Sequence, residues 1–286
     1  MNFINRNLKV FFRDRAAVFF SLLAVFIVIG LYALFLGDIW VDSMGDLAKP
    51  RQLMNSWLIS GLLAVTSVTT TLGAFGILVD DRVKKIDKDF YAAPVKRSAL
   101  TAGYLLSVFL IGVIMSLVTL VLSELYFVLN GGALLGIADI GKVLGLILLS
   151  CLSNTALMCF VVSFFKSQNA FATASTIIGT LIGFLAGVYL PIGQLPQAVR
   201  TIVKLFPPSH AAVLFRQVIM AGPLDTAFAG IPAQYLEEFN QNMGVTFQFG
   251  DFAVTPWMSV GFLLAVAVIF YGLSLANMRR RDRVYK

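Results

Sequence analysis

The chain has 286 residues, of which 58% are hydrophobic and only 13% charged, and its mean hydropathy is +0.85. Soluble domains carry about 25% charged residues, so an ordinary water-soluble fold is excluded and lipid must solvate much of the chain. The net charge of +7 does not require nucleic acid, because of where the basic residues fall.

At the start, Phe3, Ile4, Leu8, Phe11 and Phe12 recur at helical spacing, while Asn5, Arg6, Lys9 and Arg13 point elsewhere. This pattern predicts a helix over 1–15 lying in the membrane interface; a plain continuation of the first span is the alternative. Six apolar runs of spanning length follow: Ala16–Leu36, Met54–Val79, Ser98–Leu122, Lys142–Phe164, Phe171–Leu190 and Pro256–Asn277. In lipid each segment must satisfy its own backbone hydrogen bonds, so these runs read as helices. The first run is too long for a signal-peptide core and lacks a small-x-small cleavage site after it, so it is expected to be retained. The predicted class is all-α: one polytopic domain over 1–286 with six transmembrane helices.

Six spans put both ends on one side. Arg6, Lys9, Arg13, Arg15, the 82–97 cluster, Lys166 and the Arg279–Lys286 tail hold sixteen of the 22 Lys and Arg on that side. By the positive-inside bias both termini are predicted to be cytoplasmic in a cell membrane. Basic residues there meet anionic headgroups, so the basic balance points to the bilayer and not to nucleic acid.

The longest segment between spans is 191–255. Leu195, Val199, Ile202, Val203 and Phe206 form a helical stripe that Pro207 and Pro208 stop. Ser209 can cap a second short helix through Leu214 and Val218 to Gly222 and Pro223. Too short to span and too apolar for water, the two pieces are expected to be re-entrant in the outer leaflet. Glu237, Glu238, Asn240 and Gln241 read as a solvated outer loop, and Val245, Phe247 and Phe249 alternate with Thr246 and Gln248 like a short strand.

Chemistry-bearing motifs are scarce. The stretch Gly136–Val143 resembles a nucleotide-binding loop, but Val143 replaces the hydroxyl that holds magnesium; it reads as a turn with Lys142 at a span end. His210 is the only histidine, so a multi-histidine metal site is impossible, and a structural role suits it best. Cys151 and Cys159 lie in one apolar run without CxxC spacing and read as core-filling thiols. Glu124 sits near the outer end of span three, where a carboxylate reaches the interface. The spans otherwise hold almost no ionisable residue, which disfavours ion coupling. No catalytic, cofactor-binding or metal residue is assigned.

Gly179, Gly183 and Gly187 align on one face of span five and allow close approach of a helix, from this chain or from a partner copy. Thr66, Ser67, Thr69, Thr70 and Thr71 of span two either return hydrogen bonds to their own helix or line a polar path. Between spans two and three runs Asp80, Asp81, Arg82, Val83, Lys84, Lys85, Ile86, Asp87, Lys88, Asp89, Phe90 and Tyr91, then Ala93-Pro94-Val95-Lys96-Arg97. Asp80 or Asp81 can cap a short helix that Pro94 ends. Val83, Ile86, Phe90 and Tyr91 share an apolar face, which suits docking on another protein or resting on lipid.

This loop, the N-terminal interfacial helix and the two short outer helices before span six together resemble the permeases of the type-two ABC export family. The resemblance covers the whole chain in order and spacing, although 191–255 is longer than a minimal member needs. It implies a dimer with a second permease copy or paralogue, carrying a separate cytoplasmic ABC ATPase that holds the ATP and Mg; this chain carries no cofactor and is no enzyme. The coupling loop 80–97 would seat Asp80–Tyr91 in the ATPase, with Lys166, Ser167 and Gln168 as a lesser contact. A path walled by Phe, Leu, Thr and Ser suits export of amphipathic cargo: a drug, a lipid-linked molecule or a small peptide. The rival readings are an ion-coupled secondary transporter and a non-transporting assembly subunit.

Overall fold

A computed structural model of the chain describes residues 2–45, 47–86, 97–132, 134–250 and 252–284. Helix α1 (Asn2–Arg13) is amphipathic and ends where Asp14 accepts the amide of Ala17 at 3.0 Å, capping α2 (Arg15–Leu31). A π-helical turn, Tyr32–Leu36, carries α2 into α3 (Gly37–Ser43). Pro50 opens α4 (Pro50–Ala74), because its fixed φ and missing N–H suit a first helical turn. After a one-residue interruption at Phe75, which keeps right-handed helical φ and ψ, comes α5 (Gly76–Val83).

Helices α6 (Arg97–Leu129), α7 (Ile137–Val162) and α8 (Gln168–Leu185) follow. After a 3-10 turn, Ile192–Gln194, come α9 (Gln197–Leu205), α10 (Pro207–Ile219), α11 (Ala221–Ala227) and α12 (Ala233–Met243). A two-stranded ladder, β1 (Gln248–Phe249) with β2 (Phe252–Ala253), leads into α13 (Pro256–Val284).

Among the described residues five helices are long and apolar enough to cross a membrane: Arg15–Leu34, Pro50–Val83, Ala99–Leu129, Ile137–Val162 and Pro256–Asn277. The remaining apolar run is α8. It opens on the polar Gln168 and Asn169 and stops at Leu185. Its 18 residues reach roughly 27 Å at 1.5 Å each, slightly less than the roughly 30 Å of a hydrocarbon core.

The centre of the bundle is α4: 78% of its most apolar window is buried, against 22% for α2. Helices α6, α7 and α10 pack around it, and α13 packs along α7. Trp57, Leu62, Val65, Met115 and Met158 belong to the main core. Cys151 and Cys159 are free, buried thiols.

The outer region differs from its sequence reading at α12 and gains detail elsewhere. In helix α10, Pro208 through Arg216 are all buried. The run Ala211-Ala212-Val213-Leu214-Phe215 is apolar on every side, and such a helix belongs in a core. By contrast α9 keeps Ile202 and Leu205 exposed and buries Val203. The stretch with Glu237 and Glu238 is helix α12, not a loop, and Met243, Val245 and Phe247 behind it are buried. The strand signal is realised only as the two-residue ladder.

Candidate functional site

The loop between α5 and α6 is the sequence's strongest candidate. Asp87, Lys88, Phe90 and Tyr91, with the Pro94 motif, lie outside the described residues. Asp80 and Asp81 do not begin a helix, as their capping chemistry predicted; they lie within α5, which starts at Gly76. The reason is continuity: the chain from Pro50 keeps helical φ and ψ through Phe75, so no new start is needed.

The two aspartates then diverge. Asp80 faces outward and pairs with Lys84 one turn on, at 2.6 Å. Asp81 turns inward and is buried. It accepts Arg6 Nη1 at 2.5 Å and Nη2 at 2.7 Å, and Tyr104 Oη donates to it at 2.6 Å. The bond to Asp81 raises the Arg6 guanidinium pKa further above its ordinary value, against an opposing effect of burial. Around this pair, Asn7 donates to Ser107 Oγ at 3.2 Å, and Phe3 meets the Tyr104 ring edge-on at 4.8 Å. A bidentate, charge-assisted pair fixes geometry as well as charge, so α1, α5 and α6 are locked together at one end of the bundle.

Val83 and Lys85 remain exposed beside this lock, and Lys85 takes φ +60 as α5 ends. Lys166 and Gln168 are exposed too, and Ser167 caps α8 by accepting the Ala170 amide at 3.2 Å. Phe171 of α8 packs under Gly76, where an added Cβ would meet its ring at 3.3 Å. The turn Lys166–Gln168 and α5 therefore share one end of the molecule. Asn277, near the close of α13, donates to Ser163 Oγ at 2.6 Å at that same end.

Span two's hydroxyls separate by face. Thr66, Thr70 and Thr71 are buried, and Thr70 and Thr71 bond back to the carbonyls of Thr66 and Ser67 at 2.6 and 2.8 Å. Thr119 of α6 donates to Thr66 Oγ1 at 3.3 Å. Ser67, Ser150 and Asn154 close a polar knot between α4 and α7, with Ser67 Oγ 2.8 Å from Ser150 Oγ. Thr69 alone turns the other way. With Phe20, Ser21, Thr176, Gly179 and Thr180 it lines a cleft of about 550 Å³ between α2, α4 and α8.

The three aligned glycines likewise do different work. A Cβ at Gly179 would meet nothing within 4 Å. At Gly183 it would strike the Tyr189 ring at 2.2 Å, so that glycine accepts an aromatic from its own chain. Gly187 adopts φ +65, a left-handed turn that glycine tolerates best.

Arg216, to which the sequence alone assigned no role, lies in α10. The side chain is fully buried. It donates to the carbonyls of Ala186 at 3.0 Å, Gly187 at 2.7 Å and Gly244 at 3.1 Å. Its guanidinium stacks over the Trp57 ring at 5.0 Å, and Trp57 Nε1 donates to the Met243 carbonyl at 2.8 Å. Burial pulls its pKa down to about 9, which leaves it a cation at neutral pH. The one available signal was a charge set inside the apolar run of α10, where a lone ionisable residue calls for a partner.

His210, six residues earlier on α10, bridges two elements. Nε2–H donates to the Lys204 carbonyl at 2.9 Å and Nδ1 accepts from Ser259 Oγ at 3.0 Å. Burial lowers its pKa, only partly opposed by the bond to Lys204. Lys142, in the stretch resembling a nucleotide-binding loop, pairs with Asp139 at 2.8 Å.

Among the described residues no three His, Cys, Asp or Glu side chains gather into a metal site. Apolar helices around a hydroxyl-lined cleft define a multi-pass membrane protein. The family model for ABC-2 family transporter proteins matches residues 39–276, most of the chain, and the protein belongs to that family. No curated protein matches it. Membership makes this chain an ABC-type permease, the membrane component of a transporter, and implies an ABC ATPase as its partner.

Proposed function

We propose that this chain is the membrane subunit of an ATP-driven exporter, coupled to a separate cytoplasmic ATPase that binds the ATP and Mg. The chain crosses the cell membrane six times, with α8 as the fifth span and both termini in the cytoplasm. The observation that carries the reading is the Arg6–Asp81–Tyr104 lock. A push on the segment after α5 cannot be absorbed at Asp81, because its carboxylate is held from two other helices. The displacement passes into α4 and α6 as a unit, and α4 forms one wall of the cleft at Thr69.

The docking surface runs from Asp80 through Arg82, Val83, Lys84, Lys85 and Ile86 to Asp87, Lys88, Phe90 and Tyr91. Lys166, Ser167 and Gln168 add a second contact at the same end. Two permeases, identical or paralogous, bring their clefts together into a path for amphipathic cargo: drugs, lipid-linked molecules or small peptides. The mixed wall of Phe20, Ser21, Thr176 and Thr180 supports that choice, since it offers both apolar area and hydroxyls.

Coexpression with the candidate ATPase tests the assignment. Replacing Phe90 and Tyr91 with serine is expected to abolish copurification and ATP-dependent export while the permease still folds. Intact assembly and export in that variant would refute the docking surface.

A further inference from the structure

At the other end of α4 lies a second cavity, of about 290 Å³, walled by α4, α6, residues 134–136, the first turn of α7 and the α10–α11 junction. Its polar groups are Gln52, Ser56, Thr226 and the carboxylates of Glu124 and Asp139. Asp139 is already paired with Lys142. Glu124 is not: its Oε2 accepts the Leu135 amide at 3.2 Å, and the ion pairs among the described residues do not include it. Among the described residues no lysine or arginine lines the cavity, and Phe127 contributes an aromatic wall.

A half-buried carboxylate near a span end, with open space before it and no countercharge, is costly unless a cation completes it. An aromatic beside a carboxylate is the usual recognition chemistry for an ammonium group. We propose that this cavity binds an organic ammonium cation with a small apolar body, held by Glu124 and Phe127, with Gln52, Ser56 and Thr226 offering neutral hydrogen bonds. A soluble amine and an ethanolamine or choline headgroup share that chemistry. The proposal is independent of the coupling reading, since the cavity touches α4 at Gln52, Ser56 and Ile59 and not at Thr69.

The test is calorimetric titration of the full-length chain, in phosphatidylglycerol nanodiscs, with benzyltrimethylammonium and with neopentylbenzene, its uncharged isostere. Saturable binding of the cation alone is expected, weakened about tenfold or more in Glu124→Gln, given the strength of hydrogen bonds to charged groups. Glutamine keeps an acceptor for the Leu135 amide, so the turn should hold. Gly222→Leu is a second, independent variant: a Cβ at Gly222 meets nothing within 4 Å, so the larger side chain fills the cavity with Glu124 intact and should also abolish binding. With the surface charge of both disc types screened by about 0.5 M salt, weaker apparent affinity in phosphatidylethanolamine discs would assign the occupant to a headgroup; equal affinity would assign it to a soluble amine. Unchanged binding in both variants, equal binding of neopentylbenzene, or no saturable binding by the native chain would overturn the proposal.

Discussion

Arg6 and Asp81, 75 residues apart, meet through two parallel hydrogen bonds of 2.5 and 2.7 Å. The contact sets an interfacial helix against the end of the central helix, and Tyr104 of α6 completes it. Asp81 is far more buried than Arg6, at 5% and 32% side-chain exposure. Removing the arginine therefore leaves a buried carboxylate without its cation, whereas removing the carboxylate frees an arginine that can reach solvent. Arg6→Ala is expected to cost about 3 kcal/mol and Asp81→Asn less. Unfolding in mild detergent checks this, and the double variant should be no less stable than Arg6→Ala alone.

Arg216 should tolerate no replacement. Alanine would orphan the carbonyls of Ala186, Gly187 and Gly244 and empty the space over Trp57. Lysine keeps the charge but cannot span three acceptors with a planar fork. A loss of about 3–5 kcal/mol is expected for alanine, and a smaller one for lysine. Gly244→Ala should damage the same clasp, since the residue sits at φ +68 and a Cβ would approach Arg216 Nη1 at 2.9 Å. Limited proteolysis between α8 and α13 would report the loosening.

His210 makes stability depend on pH. Burial depresses its folded pKa below the unfolded value of about 6.5. The unfolded chain therefore binds the proton more readily, and stability is complete above about pH 6.5 and falls as the pH drops below it. Melting temperatures between pH 7.5 and 5 should decline, and His210→Asn should flatten that part of the curve.

Gly179 and Gly183 separate transport from packing. Gly179→Leu enters an open cleft and should leave folding intact while blocking flux. Gly183→Ala meets the Tyr189 ring at 2.2 Å and should lower stability by about 1–3 kcal/mol. Paired measurements of flux and unfolding distinguish the two.

Apolar run length was enough to find five of the six expected spans, because hydrocarbon thickness dictates it; the sixth run, α8, is among the described residues a helix of 18 residues that falls short of that length. Periodicity was enough to find α1, whose Phe11 is buried while Arg13 stays exposed. What the sequence could not reveal depended on contacts between distant segments. The inward turn of Asp81 needs Arg6 and Tyr104, neither nearby in sequence. The burial of α10 needs α4, α7 and α13 around it, and a short apolar helix reads alike at a lipid surface or in a core. Thr69 and Thr70 are neighbours of equal propensity, and only the packing of α8 and α6 on opposite sides of α4 tells them apart.

Flux in inside-out vesicles holding the permease with its ATPase tests the central claim most directly. Accumulation of an amphipathic probe should require hydrolysable ATP and persist after ionophores collapse the proton and sodium gradients. Uptake that needs no ATPase and vanishes with those gradients would contradict it.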